Sequence, residues 1–245
     1  MKIRPAGFVA NAAGFLADKI LVIAVAIAVA VGAWMAASAA VEKAVKLPAP
    51  AFDTPAAVQG PQTAVFAGGC FWGVQAVFQH TRGVLNAVSG YAGGTRESAN
   101  YQAVTAGATG HAEAVQVTYD PKQVSYGKLL QIYFSVAHDP TQLNRQGPDV
   151  GPQYRSALFF AGKDQKDVAG RYIAQLEAAR AFPRKIVTQL APLQAFYPAE
   201  AYHQDYATRH PDSPYIVAFD RPKIANLKSI MPEVFREAPV LVSHN

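Results

Sequence analysis

A short strand-like run, Thr63-Ala64-Val65-Phe66-Ala67, ends in the pair Gly68-Gly69. It gives way at once to Phe71, Val74, Val77 and Phe78 at helical spacing. That order fits a buried strand, a sharp bend and a helix start into about a dozen residues. At the bend stands Cys70, the sole cysteine of 245 residues. The first turn of a helix offers unpaired N–H groups and partial positive charge. Such a site lowers a thiol pKa from ~8.5 toward neutrality, so the pattern predicts a thiolate. The plain alternative is a small packed core residue. Glycines on both sides argue instead for an open sulfur, with Phe71 and Trp72 as the wall of a pocket.

The rest of the chain alternates. Residues 84–91 read as a second strand, closed by the turn Ala92-Gly93-Gly94, and 95–112 as irregular loop. Residues 113–119 alternate as a strand and stop at Asp120-Pro121. Ser125 caps a helix running to about residue 138, with Leu129, Leu130, Ile132, Tyr133 and Val136 on its buried side. Residues 139–153, broken by Pro140, Gly147-Pro148 and Gly151-Pro152, form a long polar loop of the kind that carries function. A strand over 154–161, a helix over 164–181, a strand over 186–190 and a short helix over 199–209 follow. The remainder is irregular, with a helical turn or two in 225–236. This alternation predicts an α+β fold, a two-layer sandwich of helices on a mixed sheet. No GxGxxG or Walker pattern supports a nucleotide cofactor.

Three segments are expected. Residues 1–41 hold an uncharged apolar run, 20–41, preceded by Lys2, Arg4 and Lys19. The run is long enough for a membrane-spanning helix. Ala37-Ser38-Ala39-Ala40 supplies the rival reading, a cleaved signal. Either way the chain is expected to be exported, its folded part outside the cytoplasm: anchored and periplasmic in a bacterium, or secreted after cleavage. Residues 42–62, with Pro48, Pro50, Pro55 and Pro61, read as a linker, and 63–245 as the catalytic domain. The net charge of +5 includes no basic block interleaved with aromatics, so nucleic-acid binding is not indicated. A single cysteine excludes a disulfide within this chain, and the six histidines show no HExxH or paired CxxC spacing, so no metal is expected.

Four polar residues stand out besides Cys70. Glu113 enters an apolar strand, where desolvation would raise its pKa and let it act as an acid; by spacing alone it reads as a solvated strand end. Tyr101 lies in the first polar loop, and Asp149 and Tyr154 in the second; tyrosine hydroxyls that reach a pocket donate to a developing oxyanion.

Five motifs occur in order: Gly69-Cys70-Phe71-Trp72-Gly73, Gly90-Tyr91-Ala92-Gly93-Gly94, Gly110-His111-Ala112-Glu113-Ala114-Val115, Gln153-Tyr154-Arg155-Ser156-Ala157 and Tyr202-His203-Gln204-Asp205-Tyr206. Together they resemble the A-type peptide methionine sulfoxide reductases, from about residue 63 to 220. The resemblance implies a ferredoxin-like α+β fold and thiol-dependent reduction of methionine S-sulfoxide, free or in proteins. It implies Cys70 as the nucleophile, Glu113 as the acid that protonates the departing oxygen, and Tyr101 and Tyr154 as the hydroxyls that bind it. Asp149 is a further carboxylate of the same site. Phe71 and Trp72 receive the S-methyl group, with Tyr206 and Tyr215 as further substrate-binding residues. Many members carry a second cysteine near the C-terminus; here Ile216 stands in its place. The Cys70 sulfenic acid then falls to an external thiol, a thioredoxin-like protein or a small thiol, with no bound cofactor. A monomer acting on oxidised proteins or peptides is expected.

Three other chemistries fit a lone reactive cysteine. These are a hydrolase pairing Cys70 with His111 or His203, a module that binds oxidised methionine without turnover, and a thiol peroxidase.

Overall fold

The computed structural model describes residues 44–54 and 59–242. Strand β1 (Gln62–Gly68) carries the apolar run, and helix α1 (Phe71–Gln79) starts directly after Cys70, its N-cap. Between them Gly69 turns the chain at φ +88°, a left-handed conformation open to glycine. There a Cβ would stand 2.5 Å from that of Gln146. Strand β2 (Val84–Ala92), helix α2 (Tyr101–Thr105), strand β3 (Ala112–Tyr119) and helix α3 (Tyr126–Ile132) follow. A π-helical turn, Tyr133–Ala137, prolongs α3. Strands β4 (Arg145–Gln146) and β5 (Asp149–Val150) pair as a small hairpin. Then come β6 (Ser156–Phe160), helix α4 (Lys163–Ala178), β7 (Gln189–Pro192), β8 (Phe196–Pro198) and the short α5 (Tyr206–Arg209). A second π-helical turn, Ile216–Asp220, runs into α6 (Arg221–Ile230).

Six strands form one sheet in the order β7-β6-β1-β3-β2-β8, antiparallel throughout except for the parallel pair β6–β7. This is the mixed sheet with flanking helices that the sequence predicts. Register then gathers the chemistry. Phe66 faces Val115 across the β1–β3 ladder, and Gly68 faces Ser156 across β1–β6. Because both partners run antiparallel to β1, its C-terminal end lies beside the first residues of β3 and β6. Cys70, Glu113 and Tyr154 therefore meet at one end of the sheet.

The core fills the space between sheet and helices with Phe66, Phe71, Phe78, Tyr126, Leu129, Leu130, Ile132, Tyr133 and Leu158, all buried. Phe66 packs on Phe78 with ring centroids 4.7 Å apart, which seats α1 on the central strand. A buried polar network ties the same helix to the C-terminal part of the chain. Gln75 donates to Gln204 and to the Ala87 carbonyl, and accepts from the Asp205 N–H. Gln79 donates to Asp205. Each such amide is satisfied only in this one arrangement, so the network fixes the position of α1 as well as holding it.

Several expectations change. Residues 95–112 are less irregular than expected: they contain a 3-10 turn, Arg96–Ser98, and α2, which Asn100 caps by accepting from the Ala103 N–H. The Ser125 cap holds, with its hydroxyl accepting from Lys128 N–H. The segment expected as an extended linker, 42–62, lies in its first described part, 44–54, along the domain. Leu47 is buried in the core, Tyr172 donates to the Pro48 carbonyl, and Gln131 to that of Leu47. Asp53 accepts from Ser125 Oγ and from the Gly127 N–H at the start of α3. Proline-rich composition reports the absence of regular structure, and that is compatible with tight packing.

The membrane-spanning or signal segment expected over 1–41 lies outside the described residues. Among those described, no helix is long and apolar enough to cross a membrane. The membrane-bound, transmembrane and periplasmic reading is corrected accordingly. It rested on the apolar run 20–41 and the basic residues that precede it, and no described helix supports it.

Candidate active site

The strand–bend–helix unit points Cys70 into a cavity of about 190 Å³ lined by Phe71, Trp72, Tyr101, Glu113, Asp149, Tyr154 and Tyr215. The nucleophile candidate, both expected carboxylates and three expected tyrosines thus share one chamber. Cys70 is 8% exposed and lines this chamber. Tyr206, expected on the substrate wall, does not line it. It stacks flat against Trp72, 3.7 Å between centroids and 7° between planes, and so supports the ring that lines the chamber.

Glu113 is buried, not a solvated strand end. Its Oε2 accepts the Phe71 backbone N–H at 3.0 Å, so the carboxyl group docks on the first turn of α1 beside the thiol. Burial pushes its pKa from 4.5 up to about 8; that N–H opposes the shift, and Asp149 and Asp220 add to it. At neutral pH Glu113 keeps its proton.

Cys70 departs from the sequence expectation. Burial pushes its thiol well above the ordinary value, reinforced by Glu113, Asp220 and Asp149, while the Trp72 N–H pulls only weakly the other way. The helix terminus is present, but desolvation and three nearby carboxyl groups outweigh it. The resting group is a thiol, not the predicted thiolate.

The hydroxyls are held by elements distant in sequence. Tyr215 donates to Asp149 Oδ2. Burial raises the pKa of Asp149, while this hydrogen bond and Lys223 draw it back. Tyr101 is anchored through its backbone N–H, which donates to Glu200 at 2.9 Å, and Tyr91 donates to the other oxygen of Glu200. Burial raises the Tyr101 and Tyr154 hydroxyls, which remain proton donors. The Trp72 indole N–H donates to His203 Nδ1 at 3.2 Å, locking the ring that forms the wall.

Three participants were not singled out from the sequence: Glu200, which supports Tyr101, and Asp220 with Lys223, which lie under α1. Only tertiary packing brings them here. The Tyr202–Tyr206 motif came closest to signalling the first.

The histidines required for a hydrolase are engaged elsewhere. His111 accepts the Gly94 N–H at Nδ1 and sets Nε2 against the Thr95 carbonyl. His203 is turned to Trp72. Neither lines the chamber with Cys70. Among the described residues, no cluster of His, Cys, Asp and Glu could hold a metal ion.

A family model described as peptide methionine sulfoxide reductase matches residues 62–233. The chain belongs to that family. It is a peptide-methionine (S)-S-oxide reductase, and its reaction is the thiol-dependent reduction of methionine sulfoxide to methionine. The peptide methionine sulfoxide reductase MsrA 2 of Mesorhizobium japonicum is 58% identical over 186 residues, which cover 76% of this chain and 95% of that relative. Among solved structures, reduced Mxr1 of Saccharomyces cerevisiae is 32% identical with a TM-score of 0.59, covering 66% of this chain and 91% of its own. Methionine sulfoxide reductase A of Corynebacterium diphtheriae is 34% identical with a TM-score of 0.54, covering 69% and 89%.

Proposed function

We propose that this reductase works through a sulfenic acid on Cys70. The Cys70 sulfur attacks the sulfoxide sulfur, whose methyl group rests against Phe71 and Trp72. Glu113 gives its proton to the sulfoxide oxygen and receives the one the thiol releases. Tyr101 and Tyr154 donate to that oxygen as negative charge builds on it. The oxygen passes from methionine to cysteine: the sulfoxide is reduced by two electrons to the thioether, and Cys70 is oxidised to Cys–SOH. Asp149, held by Tyr215, orders the hydroxyls around the oxygen.

The cycle closes outside the chain. Ile216, where the resemblance places a second cysteine, is buried against Ala76 and Ala207, and no other sulfhydryl exists in the sequence. An external thiol condenses with the sulfenic acid, releasing water and leaving a mixed disulfide. A second thiol then frees Cys70. We assign the donor role to a thioredoxin-like protein or a small thiol, and the substrate role to methionine S-sulfoxide in oxidised proteins and peptides or as the free amino acid.

One observation carries this reading: the sole thiol of the chain and a buried carboxyl group, whose pKa burial raises, line the same aromatic chamber. The test is mass spectrometry after one equivalent of sulfoxide. Without thiol, Cys70 should gain one oxygen; with thiol, it should carry the mixed disulfide. Turnover that consumes no thiol would overturn the scheme.

A further inference from the structure

Beneath the first turn of α1 lies a charged pair that the scheme above leaves unused. Asp220, at the end of the second π-helical turn, is fully buried. Neither of its carboxylate oxygens accepts a hydrogen bond among the described residues. Its one close cation is Lys223, one turn further along α6, with Nζ 3.6 Å from Oδ1. The carboxylate presses against the helix that holds the nucleophile: a Cβ on Gly73 would come within 2.1 Å of Oδ1. Only glycine at the third position of α1 allows that approach.

A buried carboxylate whose near partner is an ammonium 3.6 Å away is costly to keep. A fold that needed only to fill this space would do so better with an apolar side chain. The location explains its presence. Its surroundings are Cys70 at the N-cap of α1, Glu113 from β3, Asp149 from β5, Tyr215 just before the π-helical turn and Lys223 from α6. His138, after α3, feels the same ammonium. Lys223 also acts on Asp149, so the pair's cation is shared between two carboxylates.

We propose that Asp220, held in place by Lys223, is a positioning residue whose negative charge keeps the resting protons on Cys70 and Glu113. The pair touches neither substrate nor the sulfur; it acts through the electrostatics of the chamber. A negative charge in a dry site disfavours a second one nearby, so the thiol and the Glu113 carboxyl both stay neutral. The effects of Asp220 on Cys70 and on Glu113 have this sign. Asp220 itself is raised to about 6, by burial first, and is ionised at neutral pH. The inference rests on the proposed acid role of Glu113 only for its effect on catalysis. Its effect on Cys70 is independent of that role.

With a single cysteine in the chain, the pH dependence of iodoacetamide alkylation reads Cys70 alone. Removing the charge with Asp220→Asn should move the alkylation midpoint down by about one pH unit. It should also move the alkaline limb of the kcat/KM profile for methionine sulfoxide in the same direction. The single variant leaves Lys223 facing Asp149 with one carboxylate fewer, so the neutral pair Asp220→Asn/Lys223→Gln serves as the second variant and should shift in the same direction, by less because the opposing charge goes too, with the thermal midpoint retained. A folded double variant whose alkylation profile superimposes on that of the wild type overturns the proposal. If alkylation shifts while the activity profile stays put, Asp220 acts as proposed and Glu113 is not the acid.

Discussion

At Cys70 and Glu113 the same physics acts in opposite directions on usefulness. Burial lifts both, which leaves a nucleophile that must lose a proton and an acid that has one to give. Replacing Glu113 by glutamine should lower kcat about 10²–10⁴-fold, the usual worth of a positioned proton donor, while Cys70 remains open to alkylation. In the wild type, sulfoxide reduction should decline as pH rises through about 8, where Glu113 loses its proton. Stability carries the same signature. Between 4.5 and about 8 the unfolded carboxyl has released its proton and the folded one retains it, so stability falls as pH rises across that window. Thermal melts should show Glu113→Gln to be flatter than the wild type there. Cys70 was legible in the sequence because it is unique and flanked by glycines. Its protonation state was not, because that depends on three carboxyl groups 43 to 150 positions away along the chain.

Elements with a strong apolar period could be read from the sequence directly. β1, α1, β3, α3 and α4 all stand close to where the spacing puts them. β8 escaped because three residues at a sheet edge carry no period, and the two π-helical turns because they depend on packing rather than on pattern. The bend between β1 and α1 is the joint on which the site depends. Gly69→Ala places a side chain at φ +88° and against Gln146, which should cost about 1–3 kcal/mol in denaturant unfolding. The reductase rate should fall as well, since the sulfur is carried on that joint. Asp53→Ala tests the opposite end of the domain. It removes the acceptor for the Ser125 hydroxyl and Gly127 N–H and should cost about 1 kcal/mol by chemical denaturation, with kcat unchanged.

For the molecule as a whole, the sheet order could not be read from one sequence, since long-range pairing leaves no local trace, although the α+β class could. The segment 44–54 makes a similar point. A chain starting at residue 59 should unfold at a lower temperature than one starting at residue 44, because it lacks Leu47 and the bonds from Tyr172, Gln131 and Ser125. The folded fraction of both should reduce methionine sulfoxide at equal rates. Equal melting temperatures would mean that this strap adds nothing to the fold.

Ile216 gives the molecule a character that its fold alone does not. With nothing inside the chain to accept its oxidising equivalents, each turnover parks them on one atom until another molecule collides with it. The catalyst is therefore an open circuit, completed by its surroundings. When donors are scarce it stalls after a single event, with the damage moved from client to repairer, and its pace then reports how reduced its compartment is rather than how much sulfoxide awaits it.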